Sequence, residues 1–274
     1  MKKIRRIVAD LVIQKYPRTG ALAAAIYGYL KTPKKSFSLY GEDLLALELF
    51  NYSSDGIYVD IGAFHERWIS NTHALSKLGW AGVVVDVENG KLFSFKARQN
   101  CHSFVGAVVP KGFSNDEIIL YKFKRMSSEY DTIDKKTADD YVSRHKLCYD
   151  CVSVPAIPID TLLETAKKIC KGSIRYLNID VEGADEAILL SINPQDFGVE
   201  VVQFEDNFNL GGTPILRSHM AICGYSLIAS QGGTHTYVDD DLINRRFPGV
   251  TKESQTPVIS KKIGMKKTYS GDGI

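Results

Sequence analysis

The sequence lacks any apolar run that could span a membrane, since no stretch approaches about 18 consecutive apolar residues. It also lacks the apolar segment of a secretory signal peptide, because Asp10 ends the run Ile7–Ala9. Both absences predict a cytoplasmic protein. The remaining composition, 44% hydrophobic and 24% charged, is that of a chain able to bury a sizeable core.

Cysteine is scarce as well. The five cysteines stand at irregular spacings and do not form a disulfide framework. Cys148 and Cys151, with His145 three residues before the first, have the spacing of zinc ligands. Because no second pair stands at ligand spacing, we interpret these cysteines as unpaired structural thiols.

Net charge is also low, at +2, and by itself indicates no particular partner. Residues 1–35 carry nine lysines and arginines and one acid, which leaves 25 basic and 31 acidic residues in the remainder. We interpret residues 1–37 as a basic helical N-terminal extension. Its charge fits a solvated or dimer-forming surface, or peripheral attachment to the inner face of an anionic membrane. The acidic remainder argues against a nucleic-acid partner.

From Ile57 onward, short apolar segments alternate with segments of helical periodicity. The predicted strands are Ile57–Ile61, Gly82–Asp86, Ser103–Val109, Ile174–Ile179, Glu200–Phe204, Ser226–Ala229 and Thr234–Val238. Apolar strands separated by helices are typical of a parallel sheet covered on both faces. We therefore predict one doubly wound, Rossmann-like α/β domain over residues 38–251. A surface insertion with one added strand is expected at about 111–152, and a mobile basic tail at 252–274.

The turn after the first predicted strand reads Asp60-Ile-Gly-Ala63. In an open parallel sheet the ligand crevice lies beyond the carboxyl ends of the strands, and Gly62 would let a ligand approach the backbone. The two further glycines of a dinucleotide site are missing, which argues against a dehydrogenase. Asp86 ends the second strand 26 positions after Asp60 and could accept hydrogen bonds from both ribose hydroxyls of an adenosyl group.

Acidic residues also follow the later strands. Asp180 and Glu182 alternate towards one side of a strand end, and Glu205 ends the next strand. They could act as a general base, as metal ligands or as caps of the following helix. His65 is a further candidate base. Asp239–Asp241 is interpreted as a solvated turn.

Several motifs together make the sequence resemble the FkbM family of methyltransferases over about Ser38 to Val238. They are Tyr40-Gly-Glu-Asp43, Tyr58-Val-Asp-Ile-Gly-Ala63, Ser70-Asn-Thr72, Gly79-Trp-Ala-Gly82, Leu177-Asn-Ile-Asp-Val-Glu-Gly183 and Phe204-Glu205. The sequence departs from the family at Leu39, where Gln is frequent, and at Glu66, where Pro is frequent. Glu88-Asn-Gly90 replaces an ending in Asn-Pro. These departures affect cofactor contacts and the loop above the transferred methyl group.

The resemblance implies a class I methyltransferase fold with a mostly parallel seven-stranded sheet. It implies S-adenosylmethionine (AdoMet) as methyl donor and a hydroxyl of a sugar, glycan or related small molecule as acceptor. The cofactor residues expected are Glu42, Asp43, Asp60, Gly62, Ala63, Asn71, Asp86, Val87, Ala107 and Asp180. Catalysis is assigned to Asp180, Glu182, His65 and Glu205, with Asp180 and Glu182 as ligands if a divalent metal assists. A non-catalytic nucleoside-binding protein and a nucleic-acid methyltransferase remain as alternatives.

Overall fold

The computed structural model describes residues 36–124, 130–207 and 209–248. The predicted helical extension at 1–37, apart from its last two residues, and the predicted tail at 252–274 lie outside this part of the chain. None of the described helices is both long and apolar enough to cross a membrane.

Strands of the described residues form two sheets. Their bounds are β1 Ile57–Ile61, β2 Ala81–Asp86, β3 Cys101–Val105, β4 Ala107–Val109, β5 Glu117–Phe123, β6 Tyr149–Pro158, β7 Ile174–Ile179, β8 Val201–Glu205, β9 Tyr225–Gln231 and β10 Thr234–Asp239. The main sheet has seven strands in the order β3-β2-β1-β7-β8-β10-β9. The first five are parallel and β10 is antiparallel to both neighbours. The predicted seven-stranded, mostly parallel α/β fold is confirmed.

Helices cover both faces of the main sheet. Their bounds are α1 Glu42–Leu49, α2 His73–Lys77, α3 Asn89–Leu92, α4 Lys135–His145, α5 Ile159–Cys170, α6 Asp185–Leu190, α7 Pro214–Ile222 and α8 Asp240–Arg246. Successive residues of β1 pack into opposite layers: Val59 and Ile61 meet α5–α7, while Tyr58 meets α1–α3 and α8. Burial on both faces explains why every residue of this strand except Asp60 is apolar or aromatic.

The predicted strand Ser103–Val109 is wrong as a single element, because the chain changes sheets at Gly106. Cys101–Val105 pairs with β2 in the main sheet, whereas Ala107–Val109 pairs with β6 in a three-stranded sheet ordered β4-β6-β5. A Cβ on Gly106 would lie 2.8 Å from the carbonyl oxygen of Pro155, so the crossover is too close-packed for a side chain.

The insertion contains more regular structure than its polar sequence indicated. The added strand is confirmed as β5, and the region predicted to be an irregular polar surface forms α4 and the start of β6. Asp134 caps α4 by accepting a hydrogen bond from the Thr137 amide. Asp239 likewise caps α8 through the Asp241 amide, so the acidic run predicted as a solvated turn begins a helix.

Candidate functional site

The carboxyl ends of β1, β2 and β7 surround a cleft that the small sheet covers on one side, termed here the first cleft. The predicted cofactor residues that line it are Gly62, Asp86, Val87, Ala107 and Asp180. Glu182 also lines it. The structure thus brings half of the predicted cofactor set, and two of the predicted catalytic acids, into one cavity.

Gly62 is required by the protein's own backbone. Its φ of +80° is in the left-handed region, and an added Cβ would lie 1.7 Å from the carbonyl oxygen of Asp180. The Gly62 and Ala63 amides donate to the Val85 carbonyl, and the Asp180 amide donates to the Ile61 carbonyl. Main-chain contacts therefore fix the ends of β1, β2 and β7 against one another.

Asp86 is buried at the end of β2 and has two partners in the chain. Its Oδ1 accepts from the Glu88 amide at 2.7 Å, and its Oδ2 lies 3.2 Å from Nζ of Lys91. Burial raises the pKa of the Asp86 carboxyl, while the Lys91 ammonium and the Glu88 amide act in the opposite direction. Lys91 is a cleft residue that the sequence analysis missed.

Asp60 does not line the first cleft, although it stands at the end of β1. Thr72 Oγ1 donates to its Oδ2 at 2.6 Å, and Asn178 Nδ2 donates to its Oδ1 at 2.9 Å. Asn71 donates to Asn178 at 3.0 Å and joins the same network. Burial raises the pKa of Asp60, and its hydrogen-bond donors and Arg98 limit that rise. This network positions the turn that carries Gly62.

The other predicted cofactor residues also lie outside the cavity lining. Asp43 is fully buried and accepts hydrogen bonds from Ser36, Ser38 and the Phe37 amide. Glu42 accepts from the Tyr40 amide, and Ala63 is buried. In this structure these residues order the entry segment and the turn, and their direct contact with a cofactor stays a prediction.

A second, open cleft lies beyond the ends of β7 and β8, facing α4. It is lined by Asp134, Lys136, Thr137, Asp139, Asp140, Tyr141, Ser143, Arg144, Glu182, Gly183, Asp185, Glu186, Phe204, Glu205, Asp206, Asn207, Asn209 and Thr213. Glu182 lines both clefts. The residues from α4 could not be assigned from sequence, because that segment read as a polar surface.

Three of the predicted catalytic acids meet where the two clefts join. Asp180, Glu182 and Glu205 can each place a carboxylate oxygen within 4.8 Å of the others. Glu182 has a left-handed φ of +56°. Tyr141 lies nearby, and burial together with the charges of Glu182 and Glu205 raises its pKa to about 12. Burial and the neighbouring Asp180 raise the pKa of Asp185 to about 8.

The structure does not bring His65 to this cluster. The side chain is 1% exposed and lines neither cleft. Its Nδ1 accepts hydrogen bonds from the amides of Arg67 and Trp68, each at 3.1 Å. This geometry gives His65 a role in ordering the loop after β1, and its role as a base stays a prediction.

Comparison with known proteins identifies the family of this chain. No curated protein matches the sequence. The crystal structure of cofactor-bound Rv0187 from MTB is 12% identical with a TM-score of 0.36, covering 80% of this chain and 89% of that one. The crystal structure of a proposed methyltransferase from Thermobifida fusca YX is also 12% identical, with a TM-score of 0.30 and coverages of 84% and 74%. The family model described as "Methyltransferase FkbM domain" matches residues 60–227, more than half of the 274 residues. The chain therefore belongs to the FkbM methyltransferase family.

Proposed function

We propose that the protein is an AdoMet-dependent O-methyltransferase that acts on a hydroxyl group of a sugar, glycan or related small molecule. The observation that carries the proposal is the junction of two clefts at one carboxylate cluster, with Glu182 in the wall of both. A donor bound in the first cleft and an acceptor bound in the second would meet at Asp180, Glu182 and Glu205.

The first cleft has the chemistry that an adenosyl group requires. Asp86 supplies a buried carboxylate that can accept from ribose hydroxyls. Val87, Ala107 and Leu120 supply apolar walls for a base. The residues present fit AdoMet, with Asp86 holding the ribose and the Gly62 turn supporting the remainder.

The carboxylate cluster would assist the acceptor. AdoMet, when bound, supplies an electrophilic methyl group, so that an oxygen–carbon bond forms as the carbon–sulfur bond breaks. An alcohol is a weak nucleophile, and a carboxylate of the cluster would take up its proton as the oxygen attacks. The enzyme's main contribution is then to align the acceptor oxygen with the methyl group, which polar side chains at the ends of β7 and β8 can do.

The second cleft favours an uncharged or cationic polyhydroxy acceptor. Eight acidic residues and two basic residues line it, so a phosphate or a nucleic-acid backbone would be repelled. Carboxylates and the amides of Asn207 and Asn209 can accept or donate hydrogen bonds to several hydroxyls, and Tyr141 offers an aromatic face. This composition supports a sugar over a nucleic-acid substrate.

Binding of the nucleoside is the first test. We expect calorimetry to show micromolar affinity for AdoMet and for S-adenosylhomocysteine, and no binding of NAD, because the turn lacks a pyrophosphate-binding glycine pair. Binding of NAD without binding of AdoMet would refute the assignment.

Release of S-adenosylhomocysteine in a screen of neutral and amino sugars then tests the acceptor. Binding of AdoMet without turnover on any acceptor would favour a non-catalytic nucleoside-binding protein.

Asp86→Asn should weaken AdoMet binding by about 1.5–3 kcal/mol, as expected for the loss of charge-assisted hydrogen bonds. The same change removes the carboxylate that faces Lys91 in a buried pair, so the free energy of unfolding should also fall. Titration calorimetry and denaturant unfolding measure the two effects. Asp116→Asn makes the same chemical change at an exposed site and should alter neither. Unchanged affinity in Asp86→Asn would mean that the ribose binds elsewhere.

A further inference from the structure

Asp131 is a buried acid in the wall of the first cleft that the mechanism above does not use. It follows β5 in the insertion and is 7% exposed. Its Oδ1 accepts from the Phe123 amide at 2.8 Å. Its Oδ2 is buried and has no hydrogen-bond partner among the described residues. A buried carboxylate oxygen without a donor is costly, so this atom requires an explanation.

The surroundings of Asp131 are suited to a flat heterocycle. Val87, Ala107, Leu120 and Ile133 form an apolar cluster that lines the same cleft. Such a wall can contact the face of a purine, and a single polar group beside it can then select the edge of the base. Asp86 lies in the same cavity and provides the ribose contact proposed above.

The charge of Asp131 is only partly compensated by the chain. Burial raises its pKa to about 7, while the Phe123 amide, Lys122 and Lys91 act in the opposite direction. Both lysines already lie close to other carboxylates, Lys122 to Glu88 and Lys91 to Asp86. A ligand that places a hydrogen-bond donor in the cleft would therefore meet a carboxylate oxygen whose hydrogen bonding is incomplete.

We infer that Asp131 recognises the amino-substituted edge of the purine base, with Oδ2 accepting a hydrogen bond from the exocyclic 6-amino group. The inference rests on the proposed function, because it assumes a nucleoside donor in the first cleft. It assigns base selectivity to the insertion. The bond from the Phe123 amide to Oδ1 explains how the side chain is held, but it gives no role to Oδ2.

The test compares S-adenosylhomocysteine with S-inosylhomocysteine, in which a carbonyl acceptor replaces the amino donor, by titration calorimetry on the full chain. The wild type should bind the adenosyl compound at least roughly tenfold more tightly, because a buried polar group left unpaired rejects the analogue. This comparison needs no substitution. In Asp131→Asn the amide oxygen can keep the Phe123 bond while its NH₂ faces the base. The preference for the adenosyl over the inosyl compound should therefore fall about tenfold or reverse. The 6-amino group of the adenosyl compound loses the carboxylate that accepts its hydrogen bond, and the inosyl carbonyl gains a hydrogen-bond donor in the substituted amide.

Two outcomes overturn the inference alone. One is a wild type that binds both compounds equally, and the other is a variant that loses affinity for both by the same factor, as a structural role would produce. Asp116→Asn, also in the insertion, controls for loss of one charge and should keep the wild-type preference. A wild type that binds neither compound would refute the proposed function together with the inference, so the two failures are distinguishable.

Discussion

Asp180→Asn and Glu182→Gln should each lower turnover by about 100-fold or more, within the range of general-base contributions, while AdoMet affinity changes far less. Both substitutions keep the shape of the side chain and remove its charge at the junction of the clefts. Initial rates of S-adenosylhomocysteine release measure the effect on turnover, and calorimetry measures the effect on binding. Glu205→Gln tests the third member of the cluster in the same way.

Asp139→Asn is the matched control for these variants. Asp139 lines the second cleft, is exposed and lies outside the carboxylate cluster, so it reports the effect of lowering the charge of the cleft alone. Wild-type turnover in both Asp180→Asn and Glu182→Gln would show that neither carboxylate is needed for catalysis. A comparison of Glu205→Gln with His65→Gln would then identify the base.

A chelator separates the two ways in which the cluster could act. Loss of turnover that Mg²⁺ or Mn²⁺ restores would indicate that Asp180, Glu182 and Glu205 hold a divalent ion, which lowers the pKa of the acceptor hydroxyl. Turnover that is insensitive to the chelator would indicate a carboxylate base acting alone. In either case the substitutions lower the rate, so the prediction above does not depend on this result.

Gly62→Ala should destabilise the fold severely and abolish binding in the first cleft. The new methyl group would overlap the Asp180 carbonyl, since a separation of 1.7 Å is far below any real contact between these atoms. We expect the free energy of unfolding to fall by about 2–5 kcal/mol, combining left-handed strain with overpacking. Denaturant unfolding gives the stability, and calorimetry with S-adenosylhomocysteine gives the binding.

Gly112→Ala isolates the backbone part of this effect. Gly112 has nearly the same φ, +83°, but within the described part of the chain no atom beyond the adjoining residues lies within 4 Å of its added Cβ. We therefore expect a loss of only about 1–2 kcal/mol, the cost of the left-handed conformation alone, and unchanged nucleoside binding. If both variants lose the same free energy of unfolding, the backbone around Gly62 and Asp180 can move to accept the methyl group, and the predicted overpacking is wrong.

The central α/β unit could be predicted from sequence because each strand is marked by an apolar run within its own few residues. Strands Ile57–Ile61 and Ile174–Ile179 have the predicted bounds, since a short apolar run in the sequence and burial on both faces agree there. The change of sheets at Gly106 could not be predicted in this way. It depends on the approach of Pro155, which is distant in the sequence. A glycine inside an apolar run can mark a close backbone approach, but it does not identify the segment that approaches.

In the candidate site, too, some features could be predicted from local sequence and others depend on contacts between distant segments. Placing Asp86 in the first cleft followed from its position at the end of a strand, and so did the meeting of Asp180, Glu182 and Glu205. Position alone did not separate Asp86 from Asp60, whose side chain turns into the network of Thr72 and Asn178. Asp131 could not be found from sequence, because it lies in a polar segment that becomes a cleft wall only when β5 pairs with β6.

Helix α4 supplies seven residues to the second cleft, Lys136, Thr137, Asp139, Asp140, Tyr141, Ser143 and Arg144, and none to the first. Its N-terminal cap, Asp134, is local to the helix. If the acceptor binds in the second cleft as proposed, substitutions on this helix can change acceptor choice during evolution without altering the lining of the first cleft. For engineering, the same proposal makes the exposed face of the helix at residues 135–145 the first place to vary in a search for a new acceptor.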